Sequence, residues 1–485
     1  MIKNVNQKKK NGTAIVYSLV VMFVVSIVLT SMLGYITTQM RFSLNRVERE
    51  KSFQIAEAGI LYYRWYLAHK TSGKTAQQII DFWTSGNPIG VGSAYEEDYG
   101  DGKYSIQVTA PSAGSTIVTV KSTGWTTKMP DVKRTVQVRF RRPSWSEYVF
   151  LSNSFMNFGD EAEVYGKVHS NFGIRFDGIA HNTVSSLLPS FDDPTHGGTG
   201  YDFGVHTHQP PADPSAPSYP WTSGTVPNRP DIFIGGREFP VPEVSFSGVT
   251  SDLAAMKSAA QGGNGKYFDS SGEGRRIILK TNGTYDLCTV DTYSNNQFSI
   301  SKYKKMNCST GAIVSGTCST CSESCLCNYS IPNEGVIFVE DNAWVEGTVN
   351  GKRISIVAAN LSGGGNQANI YVGFSNLRYT SYDCNNNIGL VAQRNVTVVK
   401  DCPDEFVMDG ALLAQSGEVG IAQTMASKTS LTFNGAIVSY LQPYFQKGVS
   451  GFAVRYYNYD NNLLYCPPPY FPTGTEYEID LWEEL

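Results

Sequence analysis

Between Gly12 and Arg41 the chain carries no charged residue, and Ala14 to Ile36 is dominated by valine, isoleucine and leucine. At about 1.5 Å rise per residue this apolar run spans roughly 35 Å, enough to cross a bilayer core. Its anchoring positions are Ala14, Ile15, Val16, Leu19, Val20, Val21, Phe23, Val24, Val25, Ile27, Val28, Leu29, Leu33 and Ile36. The run is too long for a secretory signal, and no Ala-x-Ala pattern closes it. Lys3, Lys8, Lys9 and Lys10 precede it, which predicts a single-pass membrane protein with a cytoplasmic N-terminus and an extracytoplasmic remainder. The helix is predicted to continue through Arg41–Lys70. There Ala56, Ile60, Tyr63 and Leu67 recur at spacings of four, three and four and form one face. Thr71-Ser72-Gly73 ends it.

Period-two alternation follows. Tyr104, Ile106 and Val108 alternate with polar neighbours, as do Val136, Val138 and Phe140, and Ile117–Lys121 supplies a strand between them. This predicts a small antiparallel sheet with one wet face. Beyond Pro143 a short unit, apolar-x-Gly-x-apolar, recurs around Gly166, Gly178, Gly347, Gly410 and Gly435. Short strands cornered by glycine fit the rungs of a β-solenoid, whose stacked coils bury a stripe that no coil could bury alone. A β-sandwich is the alternative. The solenoid is favoured because the unit recurs and few Asn-Gly hairpin turns join the strands. A short helix is expected over Ser251–Gln261, capped by Thr250 and stopped by Gly262.

The expected fold is therefore mainly β with a long N-terminal α-helix. Residues 1–12 form a basic leader, 13–70 a transmembrane and amphipathic helix, and 71–142 a small antiparallel unit. Residues 143–485 form a β-solenoid-like (β-helix) domain with loop insertions near 182–245 and 300–330.

Gly12-Thr13-Ala14-Ile15, the apolar run, and the block Phe53-Gln54-Ile55-Ala56-Glu57-Ala58-Gly59-Ile60 resemble the N-terminus of PilX-type minor pilins. The resemblance covers roughly the first seventy residues, and Phe53, Ala56, Glu57, Ala58 and Gly59 carry it. It implies cleavage between Gly12 and Thr13 by a prepilin peptidase, followed by entry of the helix into a type IV pilus or its assembly complex. The implied partners are the membrane, other pilins and assembly components. Major pilins carry a glutamate at the fifth position after the cut, where this chain has Tyr17. Segments between Gly335 and Tyr470 are similar to large domains fused behind PilX-type helices, which implies architecture and no activity.

Composition narrows the classes. The 485 residues include 46 glycines and 28 tyrosines, only 17% are charged, and the net charge is −4. This suits a turn-rich β protein, and nothing outside the leader is basic enough to suggest nucleic acid. No Gly-x-Ser-x-Gly elbow or phosphate-binding glycine loop occurs, and no spacing forces two carboxylates together, so neither catalysis nor a cofactor is expected. All nine cysteines lie beyond Lys280. Outside the cytoplasm, Cys308, Cys318, Cys321, Cys325 and Cys327 are expected to form disulfides that pin a polar loop, with a zinc site as the alternative. Cys384 and Cys402 are expected to bridge neighbouring strands, and the odd total leaves at least one cysteine unpaired or metal-bound.

His169, His181, His196, His206 and His208 cluster in sequence near Asp192 and Asp193. His206-x-His208 would share a strand face as a metal pair. Pro210 and Pro211 favour a polar surface loop instead, and no metal site is assigned. The chain ends with Tyr456, Tyr457, Tyr459, Tyr465, Tyr470, Phe471, Tyr477 and Trp482, expected to cap the last rung. The functional expectation is a minor pilin or pilus assembly protein displaying a large β domain in assembly or surface adhesion. The alternative is a surface-anchored β-helix protein that binds or cleaves a surface glycan.

Overall fold

The computed structural model describes residues 11–485, apart from residues 75, 112–114, 196–199, 223, 247–248, 264, 333–334, 363–365 and 475–476. The basic residues of the leader, and His196, lie outside the described residues.

One helix, α1 (Asn11–Thr71), runs 61 residues, about 90 Å at helical rise. Gly73, at φ +68°, takes the left-handed conformation that lets the chain leave it. A second helix, α2 (Ala76–Thr84), precedes a five-stranded antiparallel sheet. Its strands are β1 (Tyr95–Tyr99), β2 (Gly102–Thr109), β3 (Ile117–Thr126) and β4 (Arg134–Arg141), joined by the C-terminal strand Glu478–Glu484. Ile106, Val120 and Val138 point from the alternating face onto Ala56, Tyr63 and Leu67 of α1, all fully buried. The head is thus a helix-on-sheet layer built on the helix face that the spacing predicted.

The fifth strand corrects the sequence reading. Trp482 lies opposite Val138, and Tyr477 packs in the core of the head. The end of the chain therefore completes the head and does not cap the body. The other aromatics scatter: Tyr457 is in the body core, Tyr470 and Phe471 pack on its outer face, and Tyr456 is exposed. Pairing supplies the reason. The outer edge of β4 has unpaired backbone groups, and the last strand satisfies them.

Beyond Pro143 the strands pair mostly in parallel. One ladder stacks Ile337, Ile356, Leu390, Leu412, Ile437, Phe150, Val168 and Val184 in register. A second stacks Ile277, Val345, Val372, Val398 and Ile421. Another runs Met408, Phe433, Tyr457, Val164 and Ala180. Apolar side chains thus meet like side chains above and below and form one core. Chain order is not stacking order. Phe150, near the start of this region, sits on Ile437, near its end.

The glycine corners fall where strands bend. Gly410 and Gly435 are paired neighbours at φ +138° and +148°. A Cβ on Gly435 would meet the Gly410 carbonyl oxygen. Only glycine fits both the backbone angle and that approach.

The helix α3 (Val249–Gln261) covers an outer face, with Leu253 and Met256 packed on Val336 and Phe338. The side chain of its expected cap, Thr250, lies outside the described residues. Neither expected insertion is plain loop. Residues 182–245 contain short strands, including Val184–Ser186, Asp202–Phe203 and Val205–His206. Residues 300–330 form antiparallel strands Ile300–Met306, Ile313–Cys318 and Cys327–Ser330, extending from Thr284–Tyr293.

Disulfides join Cys288 to Cys321, Cys308 to Cys327, Cys318 to Cys325 and Cys384 to Cys466. The five clustered cysteines are therefore in disulfides and offer no zinc thiolates. The expected bridge between Cys384 and Cys402 is incorrect. Cys402 is a free, buried thiol within the body core, while Cys384 lies in an exposed turn facing Cys466 on the tail.

Candidate functional site

The front of α1 stands clear of the rest of the molecule. Every side chain from Thr13 to Val47 is exposed, Phe23 at 68%. Gly12 and Thr13, the expected processing positions, lie in its first turn, and all the positions expected to anchor it, from Ala14 to Ile36, fall on this free stretch. Tyr17 is likewise exposed at 68%. Five of its hydroxyls fold back onto the helix: Ser18 donates to the Ile15 carbonyl, Ser26 to Met22, Thr30 to Ser26, and Thr37 and Thr38 to Gly34. Polar groups satisfied within the helix are what an apolar environment demands. This is the one helix among the described residues long and apolar enough to cross a membrane.

At Glu48 the character changes. Glu48 is 3% exposed and accepts from the Thr126 hydroxyl at 2.8 Å, with Lys128 at 3.7 Å and Lys51 at 4.0 Å. Arg46 and Glu50, on the same stretch, are both exposed, and Glu48 is its buried carboxylate. One turn on, Ser52 donates to the carbonyls of Glu48 and Val132.

The motif block gains a physical reading here. A Cβ on Gly59 would lie 2.3 Å from Ser122 Oγ, and one on Gly124 would lie 2.3 Å from the Ser52 carbonyl oxygen and 2.4 Å from the Ala56 nitrogen. Small residues at Ala56, Gly59 and Gly124 let the helix backbone lie directly on β3. Phe53 packs edge-on against Trp482, with centroids 5.9 Å apart. Glu57 and Ala58 are half-buried.

The histidines do not act as one group. His169 is buried with Ser185 Oγ at 3.0 Å and Asn171 Oδ1 at 3.1 Å, and burial holds its imidazole below the ordinary value. His181 stacks on Tyr165 at 3.9 Å and reaches Glu163 at 2.8 Å. Asp192 is exposed and separate. By contrast Asp193, Asp202, His206 and His208 converge, each with a ligand-type atom within 4.8 Å of the others. His206 and His208 belong to the His-x-His pair noted from sequence; Asp202 carried no signal, because only the turn between Asp202–Phe203 and Val205–His206 brings it in.

Four carboxylates between Asp401 and Asp409 lie in separate surroundings. Asp404 pairs with Lys428 at 2.9 Å, Asp401 and Glu405 are exposed, and Asp409 is buried among Asn434, Tyr382 and the Tyr379 N–H.

No curated protein matches the chain. Among solved structures, the competence-associated pilin ComZ from Thermus thermophilus aligns over 90% of this chain and 98% of its own, at 12% identity and a TM-score of 0.31, too loose a likeness to define a common fold. Residues 11–61 match the PilX N-terminal family model, and the chain carries a PilX-type N-terminus on the rod just described.

Proposed function

We propose that this protein is a minor pilin of a type IV pilus-like system, serving assembly and display without catalysis. The observation that carries the reading is the division of α1: a free apolar front within a PilX-type segment, and a rear seated on a head by small residues. The front holds the membrane before assembly and packs among other pilin helices afterwards. Lys3 and Lys8–Lys10 keep the leader in the cytoplasm, and the prepilin peptidase cuts between Gly12 and Thr13. The body lies outside, where the disulfides persist. Tyr17 leaves the mature chain without the carboxylate that neutralises a neighbour's amine in major pilins, which favours a place at the tip or base over the shaft.

The body itself is read as a β-solenoid. Support comes from the parallel ladders, whose apolar partners recur in register from Ile337 to Val184. Surface adhesion through this displayed body is part of the same proposal. The glycan reading is less favoured, since Tyr477 and Trp482 belong to the head and the other aromatics near the end of the chain are scattered between the core and the outer face of the body.

Intact-mass measurement and N-terminal sequencing of protein from its native host provide the test. A mature chain beginning at Thr13 and co-purifying with other pilins is expected. A chain that keeps its leader in cells with an active prepilin peptidase sinks the proposal.

A further inference from the structure

We infer that Asp193, Asp202, His206 and His208 form a binding site for one divalent transition ion of the zinc class. Asp193 follows the strand Ser190–Phe191, which pairs antiparallel with Asp202–Phe203, and His206 and His208 come just after that strand. Asp193, Asp202 and His206 are buried at 1%, 8% and 1% exposure, and His208 is half-buried.

The positioning of the side chains is the first argument. Asp193 Oδ1 accepts from both the backbone N–H and the hydroxyl of Thr195, each at 2.7 Å. That anchoring turns Oδ2 toward His206 Nε2, 3.2 Å away. His206 Nδ1 lies 3.3 Å from the Phe203 carbonyl oxygen. An Nδ1–H donating there leaves the Nε2 lone pair facing a carboxylate oxygen, the tautomer that metal-bound histidines adopt. Zinc bonds of about 2.0–2.1 Å place tetrahedral donors about 3.3 Å apart. The Asp193–His206 separation is already that edge length. Asp202 and His208 need only close in from within 4.8 Å.

Charge is the second argument. Among the described residues two carboxylates and two imidazoles gather here, and a divalent cation bound between them balances both carboxylates at once. The neighbouring acids are otherwise engaged. Asp177 pairs with Arg175 at 2.7 Å and accepts from the His208 N–H at 2.7 Å, and Asp213 pairs with Arg237 at 2.5 Å. Two nitrogen and two oxygen donors suit zinc or cobalt(II). Calcium would call for six to eight oxygens.

Full-length protein without a histidine tag, purified in detergent and stripped with chelator, is titrated with cobalt(II) and then zinc. One equivalent of cobalt(II) is expected, with the intense visible absorption of a tetrahedral site, displaced by zinc. Asp202→Asn and His208→Ala should each weaken binding about tenfold or more, and His181→Ala should not. Thermal unfolding of the unaltered protein guards against misfolded variants: zinc should raise its midpoint and chelator reverse the rise. The inference is overturned if the unaltered protein binds no cobalt, binds only calcium, or shows no zinc-dependent midpoint. Undiminished affinity in natively folded Asp202→Asn and His208→Ala proteins overturns it as well.

Discussion

The Trp83 indole N–H donates to the Tyr477 hydroxyl oxygen at 2.8 Å, although 394 residues separate the two in sequence. Their rings meet edge-on at 6.3 Å. Trp83 belongs to α2, beside the rod, and Tyr477 introduces the strand Glu478–Glu484, so the head is built from segments far apart in sequence.

The head should therefore depend on Tyr477. Tyr477→Ala removes a buried ring and should destabilise the head by about 3–5 kcal/mol. Tyr477→Phe loses only the hydrogen bond and should cost about 1 kcal/mol. Urea unfolding followed by tryptophan fluorescence separates the two. Equal losses would mean that the ring contributes nothing.

The seat of the rod makes a sharper comparison. In Gly124→Ala the new methyl meets backbone atoms of Ser52 and Ala56, which cannot swing aside. The expected loss is about 1–3 kcal/mol. In Gly59→Ala the nearest atom is the Ser122 hydroxyl, which can rotate, and alanine favours the helix by about 0.5–1 kcal/mol over glycine. Gly59→Ala should thus be the milder change by chemical denaturation; the reverse order contradicts the packing of α1 on β3.

Two buried carboxylates should give opposite pH dependences. Burial raises the Asp409 carboxyl above its ordinary 3.8, and bonds from Asn434, the Tyr379 N–H and Tyr382 offset this only in part. The folded state then holds the proton more tightly than the unfolded state. Its stabilising contribution is complete below 3.8 and disappears as pH rises through the raised folded value. Burial also opposes the charge on Glu340, but Lys257, Ser362, the Leu361 N–H and Tyr267 outweigh it and hold the carboxyl below 4.5. Its contribution is complete above 4.5 and lost as pH falls through the depressed value. Denaturation midpoints across pH should show Asp409→Asn removing the decline above about 4 and Glu340→Gln removing part of the acid loss. Slopes identical to the parent in both variants would contradict these assignments.

Cys402 should be a protected thiol. Burial pushes it up to about 12, leaving almost no thiolate at neutral pH. Iodoacetamide should label nothing in the native protein and one cysteine after unfolding without reductant, Cys402 by peptide mass. Cys384→Ser opens a bridge between residues 82 apart and should cost about 4–5 kcal/mol on the loop-entropy scale. Labelling of Cys466 in the native, unreduced parent protein would contradict the pairing.

The elements legible from residue order are those made by near neighbours. The uncharged run to Arg41, the spacing of Ala56, Ile60, Tyr63 and Leu67, the alternation in β2 and β4 and the glycine bends at Gly410 and Gly435 are all set within a few residues. Periodicity and backbone sterics act at that range, so the rod, its seating face and the predominance of strands could be read directly. Tertiary structure alone decided which distant pieces meet: Phe150 on Ile437, Trp482 opposite Val138, Cys466 with Cys384, and Asp202 beside His206. A strand's pattern says that it needs a partner and which face is apolar, while many strands here present the same pattern. The choice among them falls to the cooperative burial of the whole core and the pairing of every exposed edge, and no local stretch of residues encodes that.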